Sequence, residues 1–186
     1  MSVLINKLFA LIIFIMLIPV WLLIAIVIII DDGFPILFCQ KRIGRDNSNF
    51  TLYKFRTMKE NTPDIPTHLL QNPKSFFTKS GSFLRKSSFD EIPQLINIIK
   101  GDMNFIGPRP ALYNQLDLIH LRSEYGIDKL TPGITGWAQI NGRDKLTIKE
   151  KVDFDKYYLN NKSFFLNVKI LFNTLIHVLF RRNVTH

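Results

Sequence analysis

Apolar positions are arranged in three ways along this chain. Residues 8–30 are apolar without interruption, 23 in a row, against the roughly 20 that a helix needs to cross a bilayer. Residues 35–40 and 50–56 read instead as two short strands joined by the turn region Gly44-Arg-Asp-Asn-Ser. In the second strand Phe50, Leu52, Lys54 and Arg56 share one face and Thr51, Tyr53 and Phe55 the other. Helical periodicity then takes over: Ile92, Leu95, Ile96 and Ile99 fall at i, i+3, i+4, i+7, and Lys100-Gly101 is a stop. Pro93 has no N–H to donate and is tolerated in a first turn, so this helix is expected to start at about Asp90.

Around that helix the pattern predicts smaller pieces. Pro63, Pro66 and Pro73 make residues 60–76 a loop. Residues 81–86 read as a helical turn and residues 104–106 as a strand. Residues 111–124 read as a helix with Leu112, Leu116 and Ile119 inward. A glycine-punctuated loop around one short strand follows at 131–144. It matches neither a Walker loop nor a dinucleotide fingerprint, so its glycines imply turns or close backbone approach to a ligand. Thr147-Ile-Lys-Glu150 is a capping box opening a helix with Ile148, Val152 and Leu159 inward. Residues 163–180 are aromatic and aliphatic except for Asn167, Lys169, Asn173, Thr174 and His177, mostly on one stripe. That suits a helix lying in a membrane interface, with a core helix as its competitor.

The fold class is therefore α+β, in two regions: a membrane-embedded segment at 1–32 and a domain at 33–186 with helices around a short β-hairpin. Length alone favours a span, since 23 residues rise about 34 Å against a hydrocarbon core of ~30 Å. Pro19 points the other way. It removes a bond to the carbonyl of Ile15 and leaves two halves of roughly 16 Å each, too short to cross but able to descend and return. Acidic Asp31-Asp32 stands where a signal peptide would have its cleavage site. Lys41, Arg42, Arg45, Lys54 and Arg56 follow closely, which by the positive-inside rule puts the domain in the cytoplasm.

Composition narrows the partners. The 186 residues suffice for one core, and 24 Lys+Arg against 15 Asp+Glu leave a net charge of +9. Such a balance fits nucleic acid, an anionic membrane face or a polyphosphate substrate. One cysteine, Cys39, excludes an internal disulfide and reads as a small buried apolar residue. The scattered histidines and the lack of HExxH or CxxC spacing give no zinc site.

Candidate chemistry gathers between Ser87 and Pro110. Asp90 and Glu91 stand at a helix entrance, where the positive helix end favours ionised carboxylates beside an anion or metal. The competing reading is capping, but a Ser88–Glu91 capping box would put Pro93 beyond the first turn. Two prolines fix the backbone around Arg109, and an aimed guanidinium suits a bidentate grip on phosphate. Lys54 and Arg56 point the same way, roughly 7 Å apart. Asp153-Phe-Asp155 looks like a metal-binding Asp-x-Asp, yet on a helix its carboxylates diverge by about 200°.

Tyr53-Lys-Phe-Arg-Thr-Met58, Leu84-Arg-Lys-Ser-Ser-Phe-Asp-Glu-Ile-Pro-Gln-Leu95, Lys100-Gly-Asp-Met103 and Gly107-Pro-Arg-Pro110 together resemble the bacterial sugar transferase family, in order and over essentially the whole chain. More narrowly they resemble its small monotopic phosphoglycosyl transferases. The resemblance implies transfer of a sugar 1-phosphate from a UDP-sugar to a polyprenol (undecaprenyl) phosphate, with release of UMP, at the cytoplasmic face of a bacterial inner membrane. It implies Asp90 as nucleophile beside Glu91, a Mg²⁺ held by Asp90 and Glu91, and a substrate-binding set of Lys54, Arg56, Arg85, Arg109 and Arg143. It also implies a re-entrant helix-break-helix at 1–32, broken at Ile18-Pro19 where relatives commonly have Ser-Pro. UDP-sugar, polyprenol phosphate and membrane lipid are the expected partners, nucleic acid is not, and oligomeric state is not readable. Two alternatives stand beside this: a membrane-anchored basic module for anionic lipid or nucleic acid, and a nucleotide-sugar glycosyltransferase that uses Asp153 and Asp155 and releases UDP.

Overall fold

The computed structural model describes residues 3–60, 62–63, 72–142 and 145–179. Much of the 60–76 loop and Arg143 lie outside them. The first element, α1 (Val3–Asp32), is a single helix with Pro19 inside it. The expected break at Ile18-Pro19 is therefore not a break in secondary structure: the proline lacks its own donor but does not end the helix.

One stripe of α1 packs against the rest of the chain along its full length. Ala10 is buried with Leu52, Leu95, Ile98 and Met103, and Ile24 and Ile28 are buried with Phe55 and Leu84. Both ends are tied down by polar groups. At the start, Asn6 donates to Asn104 at 2.9 Å and Lys7 to the carbonyl of Lys100 at 3.1 Å. At the end, Asp31 accepts from the Ser80 amide and hydroxyl, both at 2.7 Å. The opposite stripe, including Leu8, Ile12, Ile15, Leu22, Leu23 and Ile26, is exposed and wholly apolar. By length and composition α1 is capable of crossing a membrane.

The hairpin follows, β1 (Leu37–Ile43) against β2 (Asn49–Phe55), antiparallel with Leu37 opposite Phe55 and Ile43 opposite Asn49. Its turn uses Asp46 and Asn47 in the left-handed region, which short polar side chains tolerate. Cys39 is exposed on β1, a correction to the buried role expected of it: its strand face is not covered.

Next come α2 (Gly81–Lys86), α3 (Gln94–Lys100) and β3 (Asn104–Ile106). α3 begins later than expected. Residues Phe89–Glu91 form a separate 3-10 turn, and Pro93 stands just before the first residue of α3. Gln94, Leu95, Asn97 and Ile98 of α3 are buried. Of the expected stripe Leu95 is among them, and Ile92 and Ile99 pack half-buried against the core, the extra buried positions coming from contact with both α1 and β2. Buried Asn97 mimics a neighbouring strand on the open edge of β2. Its Oδ1 accepts from the Tyr53 amide at 3.1 Å and its Nδ2 donates to the Thr51 carbonyl at 2.7 Å. Gly101, at φ 99°, ends the helix as expected, and the Asp102 amide folds back to the Asn97 carbonyl.

α4 (Leu116–Glu124) is shorter than the 111–124 expected. Leu112 is buried as expected, though bridged to Arg42 and outside the helix. Ile119 packs inward, and Leu118 is buried where Leu116 is exposed. β4 (Gly133–Thr135) pairs in parallel with β3, α5 (Trp137–Ile140) is a single turn, and α6 (Ile148–Asn161) opens on the expected Thr147–Glu150 capping box. α7 (Phe164–Leu179) is the last. It turns its polar side inward: Asn167 accepts from Tyr158 and Thr174 bonds Thr135. Phe164, Phe165, Val168, Phe172 and Leu175 face out. α7 also buries Ile170 with Ile140 and Tyr158, Leu166 packing beside them, so it takes part in the core while a second apolar face stays uncovered.

Candidate functional site

The 3-10 turn at Phe89–Glu91 sets the two carboxylates. Ser88 enters it in the left-handed conformation, φ 59°, with no side-chain cap, so the capping reading of Ser88 and Glu91 is not what the chain does. Asp90 is buried at 7% exposure. β2 brings Lys54 beneath the pair: its Nζ lies 2.7 Å from Glu91 Oε1 and 3.8 Å from Asp90 Oδ2. From the other side Arg109 Nη1 approaches the same Glu91 Oε1 at 3.6 Å. Burial pushes the Lys54 ammonium below its ordinary value of 10.5, and the Arg109 charge adds to this, while Glu91 and Asp90 pull upward. Two carboxylates and two cations thus converge, an arrangement able to meet a diphosphate with charge-assisted hydrogen bonds and to offer it a carboxylate oxygen.

Arg109 arrives there through a backbone crossing that only glycine permits. A Cβ on Gly107 would meet the Thr131 carbonyl oxygen at 2.3 Å, and one on Gly133 would meet the Gly107 nitrogen at 2.1 Å. The glycines of the 131–144 segment that face β3 therefore serve a close approach of chain to chain, with β4 drawn against the strand that leads into Pro108-Arg109-Pro110.

The other expected site residues have these contacts. Arg56 lies one residue past β2, and its guanidinium donates to the carbonyls of Asp32 and Gly33, each at 2.7 Å, and pairs with the Asp32 carboxylate at 3.2 Å. It closes the C-terminal end of α1, where carbonyls without helical partners favour a cation. Arg85 lies over the Phe77 ring at 5.0 Å with Nη1 3.2 Å from Met58 Sδ. Arg143 is outside the described residues.

Asp155 is no metal ligand. It is 1% exposed and its Oδ2 accepts from Arg122 Nε at 3.1 Å and Nη2 at 2.6 Å, while Asp153 points to solvent. Burial raises the Asp155 pKa although Arg122 pulls it down. With this pair committed to each other, the Asp-x-Asp alternative loses its ligands. Among the described residues no group of three or more His, Cys, Asp or Glu is placed to hold a metal. The sequence reading missed Arg122 and Arg42, whose guanidiniums reach the backbone behind Arg109. Nothing in their local sequence marks them, since their partners are 13 and 68 residues away.

Comparison with known proteins places the chain in a family. A family profile described as bacterial sugar transferase matches residues 1–181. The chain is 45% identical over 147 residues to the uncharacterized sugar transferase EpsL of Bacillus subtilis, covering 79% of this chain and 71% of that one. It is 40% identical over 165 residues to the UDP-glucose:undecaprenyl-phosphate glucose-1-phosphate transferase of Escherichia coli, covering 84% and 35%. It is 34% identical over 166 residues to the UDP-N-acetylgalactosamine-undecaprenyl-phosphate N-acetylgalactosaminephosphotransferase of Aeromonas hydrophila, covering 87% and 39%. The chain thus spans little more than a third of the length of the two relatives whose names state a substrate.

Proposed function

Because this chain belongs to the bacterial sugar transferase family, we propose that it transfers a sugar 1-phosphate from a UDP-sugar to a polyprenol phosphate and releases UMP. The observation that carries the reading is the contact of Glu91 with both Lys54 and Arg109 directly beside Asp90. An Asp90 carboxylate oxygen attacks the phosphorus that bears the sugar. A P–O bond forms to Asp90, the P–O bond to the UMP phosphate breaks, and UMP leaves with the bonding pair. A phosphate oxygen of the polyprenol phosphate then attacks the same phosphorus and frees Asp90. Splitting one transfer into two lowers each barrier. Lys54 and Arg109 stabilise the charge that develops on the phosphoryl oxygens.

Incubation with a UDP-sugar alone, UDP-glucose and UDP-N-acetylgalactosamine among those tried, is expected to release UMP and to add the mass of the sugar phosphate to the peptide holding Asp90. Release of UDP, or of UMP only when the lipid is present with no trapped adduct, would remove the covalent route.

The donor chemistry fits Mg²⁺. Asp90 and Glu91 are adjacent hard oxygen donors, and such sites typically combine one or two carboxylates with substrate phosphates. When bound, the ion would offset the diphosphate charge. Full turnover after exhaustive chelation would defeat this.

For the membrane we propose that α1 enters and leaves on the cytoplasmic side of a bacterial inner membrane. Both of its ends are bonded to the same domain. A helix crossing the bilayer with the domain on one side could keep only one of those ties.

A further inference from the structure

The Pro-Arg-Pro segment has almost no backbone donors of its own, since neither proline carries an N–H. What holds it is an unbroken series of accepted hydrogen bonds. The carbonyl of Pro108 accepts from the Gly133 amide at 2.9 Å, that of Arg109 from Arg122 Nη1 at 2.9 Å, that of Pro110 from Arg42 Nη1 at 3.1 Å, and that of Ala111 from the Ile43 amide at 3.0 Å. The two middle bonds come from charged side chains on elements remote in sequence, α4 and β1. Each of those guanidiniums is itself fixed, Arg122 by Asp155 and Arg42 by the side-chain oxygen of Gln40 at 2.6 Å.

We infer that Arg122, backed by Asp155, and Arg42 are positioning residues for the reaction: they clamp the carbonyls of Arg109 and Pro110 and so set where the Arg109 guanidinium stands against Glu91.

Energetics favour a positional role over a merely stabilising one. A buried ion pair such as Arg122–Asp155 gives back little net stability once its desolvation is counted, and apolar residues of similar volume often do as well. A planar guanidinium instead delivers several N–H groups in one fixed fork, so a single Arg122 binds a carboxylate with one edge and a carbonyl with another. No lysine can reproduce that geometry. A displacement of the Arg109 backbone carries its guanidinium with it, and misplacement of about 1 Å is enough to cost roughly 100-fold in rate.

The test uses the full chain in lipid nanodiscs, with Arg122→Lys, Arg42→Lys and Asp155→Asn made singly and each again with Arg109→Ala. The kinetic arm rests on the phosphosugar-transfer reading. We expect each single variant to lose roughly 10- to 100-fold in kcat with the native Arg109 present, and under about threefold when Arg109 is already Ala, because the clamp then has nothing to aim. The second arm is hydrogen–deuterium exchange, which needs no turnover. The peptide covering residues 107–112 is expected to exchange faster in each variant while the peptide of α3 stays as in the unsubstituted chain. Equal losses in both backgrounds, unchanged kcat, or exchange that rises everywhere or nowhere would overturn the inference. If the unsubstituted chain releases no nucleotide, the transfer reading fails, and the exchange arm still decides this one.

Discussion

Lys54 is the residue on which the charge balance of the site turns. It is largely buried, and its pKa lies below the ordinary 10.5, chiefly through desolvation. If the ammonium is needed against the diphosphate, kcat/KM must fall as pH rises through that lowered value, with an alkaline limb that begins below 10.5. Stability moves the other way: a basic group whose folded pKa is depressed burdens the fold while charged, and that burden is relieved between its folded pKa and 10.5. Lys54→Arg, charged throughout this range, is expected to lower the rate and shift the limb upward. A pH profile with the same alkaline limb in both proteins would take Lys54 out of that role. At this scale Asp90, Glu91, Lys54 and Arg109 were legible in the sequence because motif and local chemistry coincide in them. What the sequence did not show of Arg56 is its tie to the end of α1, where it holds the carbonyls of Asp32 and Gly33. Asp155 was rightly discounted as a metal ligand, because on a helix it diverges from Asp153 by about 200°, but its real partner, Arg122, was not legible.

Among the elements, the junction of α3 with β2 has the most to lose from one change. Asn97 is fully buried and satisfies the Tyr53 amide and the Thr51 carbonyl at once. Asn97→Ala leaves both without a partner, and at about 1 to 3 kcal/mol for each buried group the loss should reach about 2 kcal/mol or more. In a chain of this length that lowers the thermal midpoint by roughly 4 to 8 °C. Asn97→Asp, which sets a buried carboxylate against the Thr51 carbonyl and the Asp102 carboxylate, should lose at least as much. An Asn97→Ala protein that melts with the native chain would show that β2 does not depend on this edge. Periodicity found every one of the longer helices and the hairpin, and the Thr147 capping box held to the residue. It could not find where α3 and α4 begin or which side they bury, because both are short and packed on more than one face. An inward amide doing the work of a strand leaves no period to read.

At the scale of the whole molecule, the uncovered faces of α1 and α7 decide how the chain meets a membrane. Hydropathy made residues 8–30 legible as a membrane segment but left its topology open. What bears on topology is the pair of ties at the two ends, Asn6 with Asn104 and Asp31 with Ser80, formed between residues 98 and 49 positions apart. A span would have to break one of them, move a buried stripe that includes Ala10 and Ile28 into lipid, and carry one side of the domain into the bilayer with it. Immersion of the outer stripe alone needs none of this, and would leave Lys7 and Asp31 near one headgroup layer. With Cys39 replaced by Ser, a cysteine introduced by Ser2→Cys is therefore expected to react with a membrane-impermeant thiol reagent only after the inner membrane is opened. Labelling in intact cells would place the N-terminus outside and show that α1 crosses, whatever its packing against the domain.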